Sequence, residues 1–167
     1  MSLSMYAASV PAFVRTLTAM LVWLDKAQGH AEARKFDPAN YLGLRLAPDM
    51  LPLTRQVQIA SDGVKGCVAR LAGLDVPQWD DSETTFDDLR VRIQKTLDFV
   101  QSVPAAQIDG TEDRSVVLKM RSGELAFSGQ SYLLTFVLPN FYFHATALYA
   151  LLRHAGVPLG KMDFLGS

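Results

Sequence analysis

Apolar residues recur at helical spacing in four stretches of the chain. In the first, Val10, Phe13, Val14, Leu17, Met20, Leu21 and Leu24 form one stripe of a helix expected from Ser4 to about Gln28. Pro11 falls in its first turns, where a missing N–H costs least, and Gly29 marks its stop. The second helix is expected from Leu51 to Leu71, with Leu53, Val57, Ala60, Val64, Val68 and Leu71 on its apolar side. Beside that stripe runs Gln56, Ala60, Gly63 and Cys67, a mostly small row that lets another helix come close. In the third helix the stripe is Phe86, Leu89, Ile93, Leu97 and Val100. Thr84 or Thr85 is expected to cap its start, Thr85 with Asp88 resembling a capping box with Asp in place of the usual Glu, and Pro104 ends it. The fourth runs from Ser128 to His154 or Ala155, with Gly156 and Pro158 closing it. Pro139 lies inside this last helix and is expected to kink or break it.

The connections differ in kind. Residues 30–50 contain turn signals, DPAN and APD, among Phe36, Tyr41, Leu42, Leu44 and Leu46; this reads as a loop packed onto the body. Residues 73–82 form a second connection with Pro77 and Trp79. Between helices three and four, RSVVLKM and ELAFSG flank Ser122-Gly123, which predicts a short β-hairpin. The pattern as a whole predicts one all-α domain over residues 1–167, a four-helix bundle with a small hairpin between the third and fourth helices.

Composition narrows the function classes. The 167 residues are 49% hydrophobic and 20% charged, as expected for a folded chain with a real core. A formal net charge of −1, with scattered basic residues, gives no electrostatic reason to expect nucleic-acid binding. The single cysteine, Cys67, rules out an intramolecular disulfide and suits a cytoplasmic location. The apolar N-terminal stretch lacks a basic leader and is interrupted by Pro11 and Arg15, so it reads as a core helix, not a signal peptide. No run is long enough to span a membrane.

The candidate chemistry lies in helix four. Asn140 and His144 are four residues apart and share a helix face. Two histidines at that spacing would make half of a zinc or nickel site, but asparagine is a poor ligand for those metals. A third group would have to come from elsewhere, with Gln56, Asp49, Asp62 and Glu83 as candidates. The competing reading is a buried histidine satisfied by a hydrogen bond to Asn140 or Gln56. His154 lies near the helix end, where its charge suits the dipole. Tyr142 and Tyr149 are one heptad apart and read as packing residues, and Cys67 as an inert buried thiol. No phosphate loop, nucleophile elbow or cysteine–histidine cluster is present in the sequence.

The ending FYFHATALYALLRHAGVPLGKMDFLG resembles a bacterial domain-of-unknown-function family within the DinB/YfiT-like metalloenzyme superfamily. SMYAASVPAFVRTL, DMLPLTRQV, KGCVARLAGL and ETTFDDLRVRIQKTL support the resemblance, which covers essentially the whole chain. It implies a DinB-like four-helix bundle. Active members of the superfamily hold a divalent metal with three histidines, one from helix two and an H-x-x-x-H pair in helix four. Some are transferases or isomerases acting on thiols such as bacillithiol or mycothiol. Here the helix-four pair falls on Asn140 and His144, and the helix-two position on Gln56.

With two of three ligands replaced, we expect a degenerate site without metal or other cofactor, binding a small molecule through Gln56, Asn140 and His144 in the cleft between helices two and four. The alternative is a metal-assisted, thiol-dependent transferase or isomerase using His144. Helix four is also apolar on nearly every side, more than one core-facing stripe needs. We therefore expect a homodimer that covers part of it.

Overall fold

The computed structural model describes residues 3–120 and 123–166. Four long helices form the body: α1 (Val10–Ala33), α2 (Leu53–Ala72), α3 (Phe86–Ser102) and α6 (Leu138–His154). Shorter pieces connect them: a 3-10 turn at Pro38–Tyr41, α4 (Ala105–Ile108), the hairpin of β1 (Ser115–Met120) and β2 (Gly123–Ser128), and α5 (Gly129–Ser131). A π-helical segment, Tyr132–Val137, leads into α6, and α7 (Lys161–Leu165) ends the described chain.

Side-chain pairings define the direction of each helix. Gln56 meets His144 and Arg70 meets Tyr132, so α2 and the α5–α6 rod run antiparallel. Phe13 meets Phe141 and Trp23 meets Tyr149, so α1 and α6 run parallel. Arg90 reaches Asp25, while Asp109, just beyond α3, accepts from the N–H of Tyr6; α1 and α3 are therefore antiparallel. Because α2 and α3 end up parallel, residues 73–85 must travel back along the bundle as an extended strap.

The predicted stripes form the core. Every stripe residue of α2 and α3 is buried, as are Val10, Phe13, Leu17, Met20 and Leu24 of α1. The ends differ from expectation for clear reasons. Residues 5–9 form turns, and regular helix begins only at Val10, with Pro11 at its start. Gly29 does not stop α1, because Ala27 and Ala31 continue the buried stripe past it. The helix ends instead at Arg34, followed by Lys35 with φ 60°. In the following loop Tyr41 is buried and Phe36, Leu42 and Leu44 pack on the core, whereas Leu46 stays exposed.

Pro139 does not break the last helix, which continues through it. The turn before it widens into π-type pairing, and the N–H of Leu138 bonds to the carbonyl of Leu133. A π-turn accommodates a ring and a missing N–H that regular i→i−4 pairing would not. The hairpin forms with Ser115 opposite Ser128 and Met120 opposite Gly123. Ser122, half of its expected turn dipeptide, lies outside the described residues.

The sequence reading had no counterpart for α7. Phe164 stacks on Trp23, the Trp23 indole N–H donates to the Asp163 carbonyl at 2.9 Å, and Lys26 pairs with Asp163 at 2.5 Å. Trp23 is thereby fully buried.

Candidate functional site

The seam between α2 and α6 owes its closeness to the small row on α2. Ala60 and Cys67 are fully buried there, and Gly63 faces the Asn140 amide, whose nitrogen would lie 3.7 Å from an added Cβ. At the end of this row Gln56 meets His144. The His144 Nδ1 lies 2.7 Å from Oε1 of Gln56, and the Gln56 amide nitrogen donates to the Leu51 carbonyl at 2.8 Å.

This short relay defines a proton position. The Leu51 carbonyl can only accept, so the Gln56 NH2 group faces it and Oε1 faces the imidazole. Nδ1 of His144 therefore carries the proton, and Nε2 is the unprotonated acceptor. Gln56 is 1% exposed and His144 7%. Burial lowers the His144 pKa, so the ring is neutral at pH 7. Asn140 does not join the relay; it sits one turn away, half-buried, against Gly63. The structure thus brings Gln56 and His144 into direct contact and leaves Asn140 as their neighbour along the seam.

The carboxylates considered as a third ligand point elsewhere. Asp49 is exposed on the loop before α2. Asp62 and Glu83 are engaged by Arg92, a residue that the sequence reading passed over. Arg92, 1% exposed on α3, reaches Asp62 at 2.9 Å, Asp81 at 3.0 Å and Glu83 at 2.8 Å. Gln58 donates to Glu83 at 2.7 Å, and Arg55 bonds to Asp81. Lys65, also buried, pairs with Asp62 and lies 4.1 Å from the centre of the Trp79 ring; Lys95 approaches the same ring at 4.5 Å. Asp81, Glu83 and Trp79, in an otherwise unpatterned connection, were the available signal. The network pins the strap into the groove between α2 and α3.

Among the described residues no three or more histidine, cysteine, aspartate or glutamate side chains stand together as a metal-binding group. The seam offers one imidazole and two neutral amides. That donor set does not fit a three-histidine metal site: zinc and nickel favour imidazole or thiolate, and harder cations need carboxylates that the seam does not offer.

The remaining candidates settle into packing roles. Cys67 is fully buried, and burial raises its thiol pKa strongly, so it stays a neutral thiol. His154 is exposed in the last turn of α6. Tyr149 packs edge-on against Trp23 and Phe164. Tyr142, by contrast, is 38% exposed and lines an apolar groove of about 390 Å3 with Leu46, Met50, Phe143, Thr146, Ala147 and Ala150. Phe143 also meets the His144 ring edge-on, with centroids 5.2 Å apart.

The chain is a DinB-like four-helix bundle, with a back-running strap between its second and third helices and a hairpin before its fourth. The chain belongs to the family described as a domain of unknown function, DUF1993, whose model matches residues 5–165. It is similar to the crystal structure of a DinB family member protein from Shewanella denitrificans, with 37% sequence identity and a TM-score of 0.89 over 97% of this chain and 92% of that one. No curated protein matches the chain.

Proposed function

We propose that this protein is a binding protein built on a DinB-like bundle with a degenerate metal site, and that it holds a small, uncharged molecule at the α2–α6 seam beside Gln56, Asn140 and His144. The observation that carries this reading is the bond between His144 Nδ1 and Gln56 Oε1. Gln56 occupies the place from which a helix-two histidine would share a metal with His144. It instead holds the imidazole neutral, with Nε2 as an acceptor. A ligand that donates one hydrogen bond to Nε2 suits this arrangement. An anion does not, because the neighbouring side chains are neutral amides. In this reading the protein works in the cytoplasm as a homodimer and needs no cofactor.

The test combines metal analysis of untagged protein with an NMR screen of small uncharged hydrogen-bond donors and matched anions, repeated on His144→Ala. Uncharged binders that are lost in H144A support the reading. An absence of binders, or binding unchanged in H144A, overturns it. Stoichiometric zinc or nickel that H144A loses would support the alternative, a metal-assisted, thiol-dependent transferase or isomerase.

A further inference from the structure

The strap does not fill all the space beside α3. Between them lies a hollow of about 280 Å3, with Asp80, Ser82 and Glu83 on the strap side and Asp88, Arg92 and Lys95 on the helix side. Val91 supplies its apolar lining. Its size places it at the small end of ligand pockets, which run to roughly 300–1,000 Å3. Most such pockets are apolar with a few polar groups. This one is the reverse, so an occupant has to be small and strongly polar.

The bonding state of each group narrows the occupant further. Glu83 is taken by Arg92 and Gln58, and Oδ2 of Asp88 accepts from the N–H groups of Thr84 and Thr85. The side chains of Asp80 and Ser82, by contrast, bond to no other described residue. The Lys95 ammonium rests over the Trp79 ring at 4.5 Å and pairs with no described carboxylate. Arg92 is 1% exposed. Its Nη1 donates to Glu83 and to the Asp80 carbonyl, but its buried Nε has no hydrogen-bond partner. A buried N–H left unbonded is costly and rare in folded chains, and an acceptor supplied from the hollow would relieve it.

The unengaged groups carry both signs of charge. An inorganic anion would meet Arg92 and Lys95, but also the carboxylates of Asp80, Glu83 and Asp88. A metal cation would meet the reverse conflict. A molecule with one charge of each sign avoids both. Its carboxylate would accept from Arg92 Nε, the Lys95 ammonium and the Ser82 hydroxyl, and its ammonium would donate to Asp80. Hydrogen bonds between charged groups of this kind are the strong ones. We propose that the hollow between the strap and α3 binds a small zwitterion, a free α-amino acid with a short side chain, and that the bound molecule ties the strap to the helix. This site is separate from the α2–α6 seam and does not rest on the reading given to that seam.

Titration of the nitrogen-15-labelled chain with glycine, L-alanine and L-serine at pH 7 tests the site. At least one is expected to bind with a dissociation constant on the order of 1 mM and to shift the amide signals of residues 80–83 and 88–95. N-acetylalanine keeps only the negative charge and alanine methyl ester only the positive one; both are expected to bind at least about 10-fold more weakly than alanine. Lys95→Met and Asp80→Asn change exposed positions, and each is expected to weaken binding by about 10-fold. Hydrogen exchange of the amides of residues 79–83 should slow when the site is filled. Failure of all three amino acids to bind, equal binding of either capped form, or binding that either variant leaves unchanged overturns the site. Binding that leaves the exchange of the strap unchanged overturns its tie to α3. The capped probes need no substitution, so they decide even if a variant fails to fold.

Discussion

His144 and Gln56 meet across the α2–α6 seam at 2.7 Å, and the bond runs from ring nitrogen to amide oxygen. The two residues lie 88 positions apart in the chain, so only the packing of α2 on α6 brings them together. Each side chain limits the other. Gln56 cannot turn its amide without losing the Leu51 carbonyl, and His144 cannot move its proton to Nε2 without losing Gln56.

The first prediction concerns that proton. Nitrogen-15 NMR at pH 7 is expected to find His144 neutral with the hydrogen on Nδ1. Gln56→Leu removes the acceptor and leaves a buried N–H without a partner, at a cost of about 1–3 kcal/mol. The tautomer signal should shift in that variant. A wild-type spectrum with the hydrogen on Nε2 would contradict the relay.

A second prediction supplies the two histidines that this chain lacks for a three-histidine site. Gln56→His combined with Asn140→His puts three imidazoles along one seam, two of them at i and i+4. The double variant is expected to bind zinc or nickel stoichiometrically in calorimetry, and the parent chain is not. Equal metal content in the two proteins would mean that Gln56 and Asn140 do not stand at former ligand positions.

The parts of the fold that were legible in the sequence were those governed by periodic burial. The stripes of α2 and α3 and the capping box of Thr85 and Asp88 are formed by neighbours along one helix, so local spacing reveals them. The Gln56–His144 contact was legible for a related reason: both residues interrupt faces that are otherwise apolar or small. Arg92 was not, because its partners Asp62, Asp81 and Glu83 come from another helix and a strap without any pattern. The continuation of α1 past Gly29 was also hidden. There the burial of Ala31 outweighs a local propensity cost of about 1 kcal/mol.

The Arg92 network gives a third prediction. Burial alone would raise the Asp81 and Glu83 carboxyls. Bonds from Arg55 and Arg92 outweigh it for Asp81, and those from Arg92 and Gln58 for Glu83, so both stay below the usual carboxylate range. A lowered folded-state pKa stabilises above the unfolded value and is lost as pH falls. The strap should therefore loosen below about pH 4. His144, lowered by burial, has the same sign and begins to weaken the fold below about pH 6.5. Replacing Arg92 with methionine takes one partner from each of three carboxylates, leaving Asp62 with Lys65, Asp81 with Arg55 and Glu83 with Gln58, and is expected to lower stability in urea unfolding at pH 7, chiefly through Glu83, whose side chain is 8% exposed. Its acid-induced loss between pH 5 and 3 should be smaller than that of the parent. An unchanged acid profile would show that the network does not govern it.

The last prediction compares two glycines that look alike in sequence. Gly129 opens the final helical rod where its backbone passes against Thr111. An added Cβ would collide with the Thr111 carbonyl oxygen and press on Leu71 at 3.3 Å. The backbones cannot easily part, because the N–H of Gln130 donates to the Glu112 carbonyl at 2.8 Å and the Thr111 hydroxyl is tied to the carbonyl of Ile108 at 2.6 Å. The obstacle is main chain, not the end of a flexible side chain. Gly129→Ala is therefore expected to destabilise by about 1–3 kcal/mol, the range for forced overpacking. Gly29 is the opposite case. It lies inside α1, exposed, with nothing within 4 Å of an added Cβ. Gly29→Ala gains helix propensity at no steric cost and is expected to stabilise by about 0.5–1 kcal/mol. Urea midpoints measured side by side should move in opposite directions. If both variants move the same way, either the close approach at Thr111 or the open helical setting of Gly29 is wrong.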